Sequence, residues 1–317
     1  MNEITLLNLS PEVKTVLIFI FCLLTLFSTI FFVWKKLRPE ANLTELIDRT
    51  NSWWKMILIF VGAIFINKTI AITSIAFLSF IALREMLSTL NFRLSDRKGM
   101  FWCYLVIPLQ FYCIYIGYYR LFIILIPVIM FMILPLRNLM VGDTDGIITS
   151  TSTMQWSLMI TVFSLGHLAY LLVLPTPEGF TVGNEGYLLY LIFLTQFNDV
   201  LQFLWGKAIG KKKIIPKISP NKTWAGFIGG LVCTTLLAYL LRFLTPFTPT
   251  QALIAGALIA FSGFVGDLNI SAIKRDLNIK DMGDMIPGHG GIMDRLDSLS
   301  FTALVFFHLT HLWTIPQ

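Results

Sequence analysis

The residues able to do chemistry gather in the last third of the chain. Gln196, Asn198, Asp199 and Gln202, followed by Lys207, interrupt an otherwise apolar stretch. An ionisable group in such a stretch is costly unless it lines a polar cavity, which makes Asp199 a functional candidate. A structural hydrogen-bond network between helices is the competing reading. Next comes a basic run, Lys211-Lys212-Lys213, and then Ser219-Pro220-Asn221-Lys222-Thr223-Trp224-Ala225-Gly226. On charge alone the run suits an interfacial loop drawn to anionic lipid. The second half adds Ser219, Lys222 and Thr223 to the backbone N–H groups of a starting helix, a combination suited to an anion. The Walker spacing G-x-x-x-x-G-K-[ST] is absent from the sequence, so a nucleotide would be held in another way.

A second group begins at Gly266-Asp267. At 3.6 residues per turn Asp267, Ser271, Lys274 and Arg275 share one helix face, which rules that face out as a lipid surface. Lys280 and Asp281 follow, then Pro287-Gly288-His289-Gly290-Gly291, then Asp294-Arg295-Leu296-Asp297. The glycines let backbone approach a ligand closely. Asp294 and Asp297 are three apart and project from one side of a helix start. Hard oxygen ligands of this kind suit Mg²⁺, with Asp267, Asp294 and Asp297 as the ligands if the two helix ends meet. His289 has no second histidine at ligand spacing, so zinc is not expected. His167, His308 and His311 fall in apolar runs and read as hydrogen bonders between helices. Cys22, Cys103, Cys113 and Cys233 also fall in apolar runs and form no C-x-x-C pair, so neither a zinc site nor a disulfide framework is indicated.

These residues need elements to position them, and composition says which kind. Of 317 residues 56% are hydrophobic and only 13% charged, against about 25% charged in a soluble domain. That argues against a soluble globular protein, and the abundance of apolar and aromatic residues argues against disorder. The apolar residues form long runs near 16–34, 53–66, 69–87, 101–118, 121–136, 154–174, 187–206, 224–244, 251–272 and 298–313. Continuous runs are helices rather than barrel strands. The expected fold is therefore an all-α polytopic membrane protein of about ten spans. Nine result if 53–66 and 69–87, separated only by Asn67 and Lys68, form one re-entrant segment. The first run ends in Lys35, Lys36 and Arg38, a stop-transfer flank rather than a cleavage site. Small residues such as Gly226-x-x-x-Gly230 ease helix packing. Residues 1–186 read as transmembrane helices with short basic loops, and 187–317 as the catalytic region.

The net charge of +6 is first explained by the positive-inside bias, with anionic substrates second. With loops 35–52, 84–99, 137–153, 207–222 and 273–297 in the cytosol, they and Lys55 hold 20 of the 24 Lys and Arg residues, and only Lys14, Lys68, Arg120 and Arg242 lie elsewhere. Both termini are then outside, and a polar cleft faces the cytosol. All the aspartates fall in those loops or the adjoining inner halves of spans.

The stretch Ser271-x-x-Lys274-Arg275-x-x-x-x-Lys280-Asp281-x-Gly283-x-x-Ile286-Pro287-x-His289-Gly290-Gly291-x-x-Asp294-Arg295-x-Asp297 resembles the signature of the phosphatidate cytidylyltransferase (CDP-diglyceride synthase) family. Ser219-Pro220-x-Lys222-Thr223-x-x-Gly226 is similar to its second block. The resemblance is specific over about 199–300. It implies transfer of CMP from CTP to phosphatidic acid, giving CDP-diacylglycerol and pyrophosphate in phospholipid biosynthesis at a bacterial cytoplasmic membrane. It implies Mg²⁺, and leaves room for a second, monovalent cation and for a homodimer; no nucleic-acid partner is expected. Asp267 and Asp294 would hold Mg²⁺, with Asp297 a further ligand. Lys274, Arg275, Ser219 and Lys222 would hold phosphates, Asp199 would line the cleft, and His289, Gly290 and Gly291 would shape the nucleotide loop. Thr223, Ser271, Lys280, Asp281 and Arg295 complete the expected substrate contacts. Two departures bear on substrate choice or metal arrangement, because Ala225 and Ile270 stand where the family usually carries acidic residues. Two alternatives stay open: a CTP-dependent lipid-alcohol kinase, which would release CDP, and a transporter using Asp199, Asp267 and Lys274 as an ion path.

Overall fold

A computed structural model describes residues 9–38, 40, 44–90, 92–93, 96–140, 142, 145–285 and 290–315. His289 therefore lies outside the described residues. The chain is all-α. Among the described residues the only extended pairing is an isolated antiparallel bridge between Lys213 and Thr223.

Among the described residues ten helical rods coincide with the ten apolar runs. They are α1 (Pro11–Leu37), α2 (Thr44–Ile64), α3 (Lys68–Thr89) and α4 (Arg97–Tyr115); α5 (Tyr119–Arg137) and α6 (Ile147–Val173); and α7 (Asn184–Ile209), α8 (Trp224–Leu240), α9 (Pro249–Asp276) and α10 (Met293–Thr314). Among the described residues seven are long and apolar enough to cross a bilayer, namely α1, α3, α5, α6, α7, α8 with its extension to Leu244, and α9. The doubtful pair forms two helices broken at 65–67. The break at 65–67 is fixed by Asn67, whose side chain accepts the Thr69 N–H at 2.8 Å and so caps α3. The apolar part of α2, Trp53–Ile64, is short for a crossing.

Local chemistry explains the other boundaries. Thr248 and Gln251 form a capping box at the start of α9, with Pro249 in the first helical position. Thr223 caps α8. In α5, Pro127 cannot donate to the helix ladder and a π-turn spans Leu125–Met130. Side chains of neighbouring helices serve carbonyls there. Gln110 Nε2 donates to the Phe122 carbonyl (3.2 Å) and Gln155 Nε2 to that of Ile126 (2.9 Å).

Large apolar side chains such as Phe32, Ile59, Phe77, Phe101, Phe203 and Leu240 are exposed on the outer faces. Lipid, not water, is the solvent that suits such a surface. The four cysteines are free. Helix α8 packs between α7 and α9, α9 packs on α10, and α10 leans on α6 and α3. The close approach of α7 and α8 depends on glycine. A Cβ on Gly226 would run into the Gln202 carbonyl, and one on Gly230 into the Gln202 side chain. Gly226-x-x-x-Gly230 is thus a packing stripe. Two further contacts bind the bundle: Thr234 Oγ1 donates to Asn198 Oδ1 (3.2 Å), and Asn198 Nδ2 to the Ala260 carbonyl (3.3 Å). Of the polar residues of α7, Asn198 is therefore structural.

Candidate active site

The C-terminal ends of α7 and α9 meet the starts of α8 and α10 at one end of the bundle. The 210–223 loop is closed on itself by Ile214 N–H to the Lys222 carbonyl and Trp224 N–H to the Lys212 carbonyl, both 3.1 Å. That closure presents Lys222 to the neighbouring helices. Its ammonium pairs with Asp267 Oδ2 at 2.5 Å, donates to Gln202 Oε1 at 3.0 Å and lies 5.7 Å from the centre of the Phe264 ring. Burial works against the charge on Lys222, but Asp267 and Asp199 outweigh it and hold the ammonium above the ordinary lysine value.

Asp267 also accepts from Ser271 Oγ at 3.2 Å, one turn further along α9. Asp199 of α7 accepts from Ser298 Oγ of α10 at 3.2 Å, and Asp297 Oδ1 takes the Ser298 N–H at 2.7 Å. The carboxylates of Asp199, Asp267 and Asp297 lie close enough to act on one another. Lys222 is the direct ion-pair partner of Asp267, while Arg295 and Lys274 act on Asp199 and Asp297 from further off. A cleft of about 390 Å³ opens beside this cluster, with Asp199, Gln202, Ser219, Lys222 and Asp267 in its walls and Phe203, Lys207 and Lys213 also lining it. Gln202 Nε2 is buried there without a hydrogen-bond partner. Because Lys222 fixes the amide by donating to its oxygen, the Nε2 donors remain for another acceptor.

Asp294 occupies a different place. It is 7% exposed. Its Oδ1 pairs with Lys274 at 2.7 Å, and its Oδ2 accepts the N–H groups of Met282 (2.8 Å) and Gly291 (2.9 Å). The trio expected to gather round a metal therefore divides. Asp267 and Asp297 face the Asp199 cluster, whereas Asp294 anchors the loop between α9 and α10. Thr223 lines the cleft as well, and its Oγ1 takes the Gly226 N–H at 3.1 Å as the α8 cap. Arg275 is exposed and donates to the Ile218 carbonyl at 3.3 Å, tying α9 to the 210–223 loop. Lys280 and Asp281 are exposed after α9, and Arg295 is exposed on the first turn of α10. Gly290 has φ +80°, and a Cβ there would crowd Asp294 and Asp281. Gly291 is buried beside Asp294 and Glu85. Of the two family departures, Ile270 is fully buried and Ala225 half-buried.

Glu85, near the end of α3, escaped the sequence reading. It accepts the N–H groups of Ile292 (2.9 Å) and Met293 (2.8 Å) at the start of α10. The available signal was Arg84-Glu85 inside the apolar run 69–87. The site thus draws a residue from outside 187–317.

The donor chemistry suits a hard cation, since three neighbouring carboxyl groups supply oxygen atoms and Lys222 is the direct ion-pair partner of only one of them. As they stand, no three acidic, thiol or imidazole groups among the described residues converge closely enough to ligate one ion.

The family model described as "Cytidylyltransferase family" matches residues 47–313. The chain belongs to that family. It is a nucleotidyltransferase built into a membrane, and the transporter reading is set aside. The uncharacterized protein YnbB of Escherichia coli K12 is 40% identical over 293 residues, covering 91% of this chain and 95% of that protein. A phosphatidate cytidylyltransferase of Staphylococcus aureus is 37% identical over 161 residues (48% of this chain, 60% of the relative). One from Mycobacterium leprae is 42% identical over 123 residues (38% and 39%).

Proposed function

We propose that this membrane nucleotidyltransferase moves CMP from CTP to phosphatidic acid, releasing pyrophosphate and leaving CDP-diacylglycerol in the bilayer. The observation that carries the reading is the carboxylate cluster of Asp199, Asp267 and Asp297 set against Lys222, beside a cleft at one end of an apolar bundle. The similarity to phosphatidate cytidylyltransferases of S. aureus and M. leprae supports the choice of lipid.

The reaction asks little covalent chemistry of the protein. A lipid phosphate is itself the nucleophile, and the task is to bring two polyanions together and hold them in line at the α-phosphorus. Lys222 neutralises phosphate charge from the start of α8, and Gln202 Nε2 donates to a phosphate oxygen. Lys207 and Lys213 draw anions into the cleft. Ser219 and Ser271 add hydroxyl donors. Acyl chains stay in lipid beside the exposed Phe203 while the headgroup enters the cleft. Mg²⁺ would be held by Asp267 and Asp297 with Asp199 beside them, and would supply charge neutralisation at the reacting phosphates. Asp294 becomes a metal ligand only by giving up Lys274. The cytosolic leaflet of the bacterial inner membrane is the setting, because the basic loops collect on this side.

The test is an assay of the purified full chain in detergent with phosphatidate, CTP and Mg²⁺. Pyrophosphate and CDP-lipid are expected, with formation abolished by a chelator and restored by excess Mg²⁺. Release of CDP, with phosphorylation of a lipid alcohol, would establish the kinase in its place.

A further inference from the structure

Two carboxylates organise the connection between α9 and α10. Asp294 gathers the N–H groups of Met282 and Gly291. Glu85 gathers those of Ile292 and Met293, from 207 and 208 residues away in sequence. The backbone is wrapped so tightly around Glu85 that Gly283 and Gly291 leave no space for a side chain, since a Cβ on either would press on the Glu85 carboxylate. Glu85 is only 8% exposed. The first N–H groups of a helix have no partner within it. The Ile292 and Met293 N–H groups are of that kind, and the positive end of α10 favours a carboxylate.

We infer that Glu85 is a positioning residue for the transfer site. By holding the first turn of α10, the α3 carboxylate fixes how far and at what rotation Asp297 reaches toward Asp267 and Asp199. The chain of contacts is short. Met293 opens α10, Asp294 follows it and clamps the loop to Lys274, and Asp297 lies one turn on, beside Ser298 and Asp199. Glu85 itself touches no cleft wall and acts through α10. The N-terminal helices are thereby part of the catalytic device and more than a membrane anchor for it.

The link to catalysis rests on the proposed CMP transfer, whereas the link to α10 does not, so the experiment has two readouts on the full-length chain. Glu85→Gln keeps the volume but leaves one oxygen acceptor for two N–H groups; Glu85→Asp keeps the charge with a shorter reach. In amide hydrogen exchange, Glu85→Gln is expected to speed exchange at 291–296 while helices α7 to α9 keep their protection. In the CTP assay it should lower kcat about 100-fold with little change in KM for CTP, as for a group displaced by about 1 Å. Glu85→Asp should recover part of that loss. Unchanged exchange at 291–296 would overturn the inference. So would loss of protection throughout the chain, which marks a general stability role, or local loosening with wild-type kcat. If the native chain makes no CDP-lipid, the functional reading fails and exchange alone decides whether Glu85 sets α10.

Discussion

Asp294 and Asp297 show how far residue spacing carries. Their three-residue interval predicts a shared side, and both do leave the first turns of α10. Their partners differ, because a carboxylate in the first turn also meets unsatisfied N–H groups of its own approach loop. Asp294 takes that course, and no periodicity in the sequence announces it. The Asp267–Ser271 contact was legible, since it lies within one helix and follows from 3.6 residues per turn. The assignments yield opposite stability effects. Asp294→Asn strips Lys274 of its buried partner and should cost about 3 kcal/mol, read as a fall in the denaturation midpoint together with lost activity. Asp297→Asn relieves repulsion with Asp267 and Asp199 and should leave the midpoint unchanged or raised. Lys222 adds a pH effect. Its value lies above the ordinary 10.5 in the folded chain. The Lys222 contribution to stability is therefore complete below about 10.5 and fades as pH rises through the higher folded value. Alkaline unfolding of Lys222→Met should lack this component.

Helices were the most readable level, because an apolar run of bilayer length in a chain so poor in charge has few other solutions. The break between α2 and α3 was left open by hydropathy and is decided by the Asn67 cap, a local hydrogen bond that composition does not weigh. The partner of Glu85 was beyond the sequence because which helix ends meet is a property of packing. Close packing of α7 on α8 gives the element-scale prediction. Gly226→Val drives a side chain into the α7 backbone and should destabilise by about 1–3 kcal/mol while closing the cleft. Gly62 in α2 meets nothing within 4 Å, so Gly62→Ala should instead stabilise by roughly 0.5–1 kcal/mol. Thermal denaturation of the two variants in detergent separates a packing glycine from an incidental one.

Across the whole molecule the polar machinery occupies one end of the bundle and the apolar surface the sides. That division matches a reaction between a water-soluble nucleotide and a lipid phosphate. The proposed topology, drawn from the charge asymmetry of the loops, puts this end in the cytosol. Lys211 and Lys280 are both exposed at this end. Lys211→Cys and Lys280→Cys should therefore react with a membrane-impermeant thiol reagent in inverted vesicles and stay unreactive in intact spheroplasts; the reverse pattern would invert the topology. The central claim is that Asp297, brought to Asp267 and Asp199 by the junction of α9 and α10, belongs to the centre of CMP transfer. The most direct measurement follows label from the α-phosphate of CTP into lipid, using native and Asp297→Asn chains of equal thermal stability. The native chain should place the label in CDP-lipid, and the variant should do so at least about 100-fold more slowly. Label entering lipid at the native rate in the Asp297→Asn chain would contradict the account.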